Sequence, residues 1–327
     1  MSLDQLPRYP LGFFPTPIEP LPNLSARLGG PQLWVKRDDQ TGLATGGNKT
    51  RKLEYLVAEA LRQGCDTLLT IGAPQSNHAR QTAAAAAKAG LKRALVLRGS
   101  APRERTGNIL IDDLIGAEVF WAGARADSAA LSETADELRA RGQTPYVIPL
   151  GGSNPIGAAG YVAAMLEFAQ QTRALKVEFD AIVFATSSGG TQSGLVVGAR
   201  LAGYTGRILG ISVDHPAADL VDTLIELARA TADHIGLPMT FARGDFEVDD
   251  RHLGGGYAVM GEPEREAIRL SAQTEGLLVD PVYTGRALAG LIDLVRRGEF
   301  RHEQKVLFWH TGGTPALFAY AAQLAGG

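Results

Sequence analysis

Apolar and polar positions along this chain follow two alternating rhythms. Short, nearly continuous apolar runs at 32–36, 67–71, 94–97, 118–121, 146–149, 181–185, 207–213 and 306–309 predict strands. Between them, apolar positions recur at helical spacing. The clearest case is 51–62, where Leu53, Leu56, Val57 and Ala60 share one face. Further helices are predicted from 78 or 79 to 89, over 108–114, 128–141, 157–171, 219–234 and 262–275, and beginning at 191 and at 315. Gly64 and Gly90 stop the first two. Repeated strand–loop–helix units predict an α/β fold with parallel sheets covered on both faces. Such sheets bind ligands in the loops beyond their carboxyl ends. Five polar loops, at Lys49, at Ser76-Asn77, at 187–191, at Tyr283 and at Thr311, are each expected to follow a strand and to form one shared site. No low-complexity linker divides the chain, so a cleft between closely packed lobes is expected.

Composition narrows the classes. The chain has 327 residues, 45% hydrophobic and 20% charged, with net charge −3. This fits about two domains or one large α/β unit and gives no basic surface for nucleic acid. Apolar runs are too short to span a bilayer. The start, Met1-Ser2-Leu3-Asp4-Gln5-Leu6-Pro7, carries no secretory pattern, and a cytoplasmic enzyme is expected. Cys65 is the sole cysteine, which excludes an intrachain disulfide, and it reads as a small packing residue. Histidines 215, 234, 252, 302 and 310 lack metal-ligand spacing, so no metal is expected.

The chemistry rests on two segments. Ser187, Ser188, Gly189, Gly190 and Thr191 follow the strongest strand and open a helix, which suits a phosphate held on backbone N–H groups. Neither nucleotide pattern is met. The loop lacks the G-x-G-x-x-G spacing, and near Lys49 an intruding Asn48 and the charged segment 37–40 spoil a P-loop. Lys49, in Gly46-Gly47-Asn48-Lys49-Thr50, is the lysine framed by glycines. Lys36, Lys88, Lys92, Lys176 and Lys305 read as solvated, and Lys52 as a surface or ion-pair residue. A phosphate cradle plus a separate fixed amine suits pyridoxal 5'-phosphate, which needs a Schiff-base lysine and an anion site on opposite sides of its ring.

The motifs Lys36-Arg37-Asp38-Asp39, Gly46-Gly47-Asn48-Lys49-Thr50-Arg51-Lys52-Leu53-Glu54, Gln75-Ser76-Asn77-His78 and Asp280-Pro281-Val282-Tyr283-Thr284-Gly285 resemble the D-cysteine desulfhydrase and 1-aminocyclopropane-1-carboxylate deaminase family. Val147-Ile148-Pro149, Gly151-Gly152-Ser153 and His310-Thr311-Gly312-Gly313 agree, in order, from about residue 10 to the C-terminus. The resemblance implies a tryptophan synthase β-like fold of two open parallel-sheet lobes, 1–50 with 165–327 and 51–164, with pyridoxal phosphate in the cleft. It implies Lys49 as Schiff-base lysine and Cα base. Asn77 would meet the cofactor's 3′-oxygen, and Ser76, Asn77 and His78 the substrate carboxylate. Ser187, Ser188, Gly189, Gly190 and Thr191 would hold the phosphate, and Thr311 would meet the ring nitrogen. Tyr257 and Tyr283 would flank a small amino-acid substrate, with Ser76 and Tyr283 as nucleophiles or proton movers. Ser76 and Asn77 are also good helix caps, and His78 reads as more structural than acid/base. A homodimer is the family habit.

The deaminases of this family place glutamate after the site tyrosine, where it meets the pyridine nitrogen; here the residue is Thr284. A neutral hydroxyl makes a weaker electron sink, adequate for a good leaving group. β-Elimination from D-cysteine or a similar β-substituted amino acid is therefore expected, giving pyruvate, ammonia and hydrogen sulfide. L-Cysteate sulfo-lyase and 1-aminocyclopropane-1-carboxylate deaminase activities stand as alternatives. A pyridoxal phosphate- or nucleotide-binding protein without turnover is the non-enzyme reading.

Overall fold

The computed structural model describes residues 3–325. Met1 and Ser2 of the N-terminal stretch, and the last two residues of the segment assigned to the larger lobe, lie outside the described residues. Each expected strand is present, with ends displaced by at most two residues. In chain order the elements are β1 (Ile18–Pro20), α1 (Pro22–Leu28), β2 (Gln32–Arg37), α2 (Lys49–Arg62), β3 (Thr67–Gly72), α3 (Asn77–Lys88), β4 (Lys92–Leu97), α4 (Gly107–Ile115), β5 (Glu118–Trp121), α5 (Asp127–Ala140) and β6 (Pro145–Ile148). They continue with α6 (Pro155–Leu175), β7 (Ala181–Thr186), α7 (Gly190–Ala202), β8 (Arg207–Ser212), α8 (Ala217–His234), β9 (Glu247–Asp249), α9 (Glu262–Glu275), α10 (Thr284–Arg296), β10 (Lys305–His310), α11 (Ala316–Ala319) and α12 (Ala321–Ala325).

Two sheets result. One is four-stranded and all parallel, in the order β5-β4-β3-β6. The other is six-stranded, β1-β2-β10-β7-β8-β9, and parallel except for the β1–β2 pair. Every residue of β3 and β7 is buried. Helices cover both faces of each sheet, which is why these strands read as unbroken apolar runs rather than alternating ones. Around β7, Val183 and Phe308 pack toward α10, while Ile182, Phe184 and Trp309 pack on Tyr161 and Phe168 of α6.

Some elements were not expected. β1, α1 and β9 are short. α10 is long, but Gly285, Arg286 and Gly290 interrupt its apolar stripe. Arg286 is nevertheless fully buried, because Glu264 and the carbonyls of Val213, Gly256 and Val259 accept from its guanidinium. The helix expected from 315 is two short pieces, α11 and α12. Two of the five loops also arrive differently. Two 3-10 turns separate Lys49 from β2, and no strand precedes Tyr283, whose approach is irregular.

Lys36 corrects its expected solvation. It is fully buried in β2, where its Nζ donates to the Thr16 carbonyl, Gln171 and Glu167. Arg51, on the first turn of α2, meets Asp38 and Glu167 in the same cluster, and Tyr161 and Trp309 also donate to Asp38. The surrounding cations and donors outweigh the effect of burial and hold Asp38 down at about 2. Lys88, Lys92 and Lys176 are exposed and Lys305 is half-buried.

Candidate active site

The turn before α2 is fixed by its backbone. Gly46 has φ 72°, and a Cβ there would lie 2.0 Å from the Asp39 carbonyl oxygen. Thr41 Oγ1 accepts from the Gly47 N–H, the Asn48 N–H donates to the Thr311 carbonyl, and Gln81 Oε1 accepts from the Thr50 N–H. These ties place Lys49 at the first position of α2, facing a cavity of about 230 Å³. It is half-buried and lines that cavity. Burial, and then the nearby Arg80 guanidinium, bring its amine down to about 8, with Asp280 pulling weakly the other way.

The cavity wall draws on both sheets. From the smaller sheet come Ala73, Ser76, Asn77 and His78 after β3, Arg98 after β4, and Leu150 and Gly151 after β6. From the larger come Ser187, Ser188, Gly189 and Thr191 after β7, Asp214 and His215 after β8, and Thr311 and Gly312 after β10. Tyr257 and Tyr283 close one side. Gly190 is set behind this surface, with its N–H donated to Ser153 Oγ.

Each side chain has a local anchor. Ser76 Oγ accepts from the Ala79 N–H and so caps α3 while lining the cavity. The His78 ring contacts Thr70 Oγ1 at 2.8 Å, and burial, then Lys49 and Lys52, push its pKa well down, so it is neutral. Asn48 donates to Thr191 Oγ1, Ser188 Oγ meets Ser153 Oγ, and Ser187 Oγ donates to Asp214. Asp280 Oδ2 accepts from the Val282 and Tyr283 N–H groups and its Oδ1 from the Thr284 N–H and hydroxyl, which fixes the Tyr283 turn at the start of α10. Tyr257 and Tyr283 share a 2.8 Å hydroxyl–hydroxyl bond. Burial raises the pKa of both, strongly for Tyr283, so both are protonated and one hydroxyl hydrogen remains to be donated.

Thr284 does not line the cavity. It is fully buried, and its hydroxyl is engaged by Asp280 and by the Gly312 carbonyl.

Lys52 corrects the expected surface lysine. It is buried, lines the cavity, and donates to the Gly151 carbonyl and Ser153 Oγ. A Cβ at Gly190 would stand 2.8 Å from its Nζ, so the ammonium abuts the N-terminus of α7. No carboxylate pairs with it among the described residues, and burial, then Lys49, push its pKa well down. A buried amine with no carboxylate partner, beside helix N–H groups and three hydroxyl residues, is an arrangement that a bound phosphate would stabilise by favouring the amine's charged form. Together with the Lys49 amine, brought down to about 8 and lining the same cavity, it fits pyridoxal phosphate.

The family model for pyridoxal-phosphate dependent enzymes matches residues 9–312. The chain belongs to that family. It is 45% identical over 333 aligned residues to D-cysteine desulfhydrase from Klebsiella pneumoniae (strain 342), covering 99% of this chain and 100% of the relative. The protein of the same name from Klebsiella pneumoniae subsp. pneumoniae is equally similar over the same coverage. Among solved structures, an ACC deaminase homologue superimposes with TM-score 0.91 at 41% identity, covering 99% and 97% of the two chains. The processed form of threonine deaminase isoform 2 from Solanum lycopersicum matches at TM-score 0.70 and 17% identity, covering 99% and 85%, a likeness of fold alone. This enzyme's fold is thus the one expected from its motifs.

Lys52, Arg98, Gly151, Asp214 and His215 also line the cavity and were not expected there from the sequence. For Lys52 the signal is spacing, since three residues after Lys49 on a helix is the same face. The other four follow the carboxyl ends of β4, β6 and β8, where a rule applied to every strand would have pointed.

Proposed function

We propose that this enzyme catalyses β-elimination from D-cysteine or a similar β-substituted amino acid, using one water and releasing pyruvate, ammonia and hydrogen sulfide. The full-length identity of 45% with D-cysteine desulfhydrases carries the reading. Pyridoxal phosphate, when bound, supplies an aldehyde that captures amines and a ring that draws electrons from Cα. Lys49 is the covalent anchor and the base for the Cα proton, a role suited to an amine titrating at about 8. Ser187, Ser188, Gly189, Gly190 and Thr191, with Lys52, hold the phosphate. Asn77 donates to the 3′-oxygen, and Thr311 meets the ring nitrogen. Ser76, Asn77 and the first N–H groups of α3 receive the substrate carboxylate, with His78 behind them as a neutral wall. The Tyr257–Tyr283 pair has one hydroxyl hydrogen to give, and it passes to the departing sulfur. The lobes are taken as 1–50 with 165–327 and 51–164, and the working form as a cytoplasmic homodimer, which sedimentation would test in its oligomeric part.

The likeness to an ACC deaminase homologue favours a second reading, ring opening of 1-aminocyclopropane-1-carboxylate. Pyruvate release from D-cysteine, β-chloro-D-alanine, L-cysteine, L-cysteate and 1-aminocyclopropane-1-carboxylate separates the two. Turnover of D-cysteine and β-chloro-D-alanine well above the cyclopropane is expected; strong turnover of the cyclopropane alone would overturn the proposal.

A further inference from the structure

Arg80 is fully buried on α3, one turn after Asn77, and no carboxylate pairs with it among the described residues. Its two terminal nitrogens donate to amides, while Nε has no partner among the described residues. One nitrogen donates to Asn77 Oδ1 at 3.1 Å and to Asn108 Oδ1 at 2.6 Å; the other donates to the Gly46 carbonyl at 2.7 Å, three residues before Lys49. Asn108, on α4, in turn donates through Nδ2 to Asn77 Oδ1 at 2.9 Å and to the Gln75 carbonyl at 2.8 Å.

The pattern has a direction. A side-chain amide can be turned end for end, but a guanidinium only donates. Arg80 therefore obliges both Asn77 and Asn108 to present oxygen to it. Once Asn108 is so turned, its nitrogen also points at Asn77 Oδ1. Asn77 then has two donors on its oxygen, and its nitrogen, which bonds to no other described residue, is left for the cavity that Asn77 lines. We propose that Arg80 is a positioning residue for the cofactor, fixing through Asn77 and Asn108 that the cavity receives an amide donor and not an acceptor. The inference rests on the reading of Asn77 as partner of the cofactor's 3′-oxygen, where an amide oxygen would repel. The same guanidinium is a cation close enough to lower the Lys49 amine. Asp112 does not cancel that charge. Neither of its oxygens has a hydrogen-bond partner, and burial raises it to about 8, so it is mostly protonated at pH 7.

The test measures pyridoxal phosphate affinity, by equilibrium dialysis, and the absorption maximum of the loaded protein. Arg80→Gln restores the freedom of the amides to turn, and Asn108→Asp keeps size while removing one donor to Asn77. Each is expected to weaken binding by about tenfold and to move the band. Arg80→Lys, which also only donates, is expected to recover most of the loss. In an Asn77→Ala background the Arg80→Gln effect should shrink to about threefold or less, the surviving part being the loss of the Arg80 charge near Lys49. A full tenfold effect persisting there, or unchanged affinity and band in both single variants, overturns the inference. Asn108→Asp carries the test if Arg80→Gln does not fold. A wild-type protein that binds no pyridoxal phosphate fails the proposed function itself, whereas wild-type binding with indifferent variants fails this inference alone.

Discussion

Replacing Lys49 with methionine should make the cofactor-free protein more stable while abolishing turnover. In the fold the amine falls from 10.5 to about 8. At about 1.4 kcal/mol per pH unit, holding it protonated in the cavity costs about 3 kcal/mol below pH 8. The sign follows from proton counting. Between pH 8 and 10.5 the unfolded chain keeps the proton that the folded chain has lost, so wild-type stability rises with pH across that window. Lys49→Met has no such rise. Urea unfolding of both proteins without cofactor, at steps from pH 7 to 10.5, should show the variant ahead by about 3 kcal/mol at pH 7 and the gap closing with pH. Titrations of groups away from Lys49 cancel in the difference; Lys52 and His78, relieved of their neighbour's charge, add to the gap in the same direction. A gap that stays flat within about 1 kcal/mol over that range would refute the claim that burial and Arg80 depress this amine.

Arg51→Met leaves Asp38 and Glu167 with Lys36 as their one remaining buried cation, and should cost about 3–5 kcal/mol in urea unfolding at pH 7. Lys52→Met should weaken pyridoxal phosphate about tenfold or more while hardly changing the affinity for pyridoxal, which lacks the anion; equal losses for both would place Lys52 away from the phosphate. Tyr283→Phe removes one of the two paired hydroxyls and should lower kcat by about 10²-fold or more with little change in KM.

What the sequence made legible follows from burial. β3 and β7 are covered on both faces, so their apolar runs are unbroken and easily found. Lys49 stands out because a turn needing φ 72° at Gly46 marks it. Charges inside the fold were not legible, because composition rules place lysine and arginine outside. Lys36, Lys52, Arg80 and Arg286 are buried only because partners distant in sequence meet them: Glu167 for Lys36, the Gly151 carbonyl for Lys52, Asn108 for Arg80, Glu264 for Arg286. Ser76 shows a different limit. Its hydroxyl caps α3 and lines the cavity at once, so the structural and functional readings were not exclusive. Thr284 shows a third, since Asp280 holds its hydroxyl inside the turn, a contact four residues back that a motif comparison does not display.

The proposed chemistry depends on the amine at position 49 being the covalent anchor of the cofactor. Loading the purified protein with pyridoxal phosphate, reducing it with borohydride and mapping the labelled peptide by mass spectrometry tests it directly. One label is expected, on Lys49, and none in Lys49→Ala. A label on Lys52 or any other lysine, or none on a protein that still yields pyruvate, would contradict it.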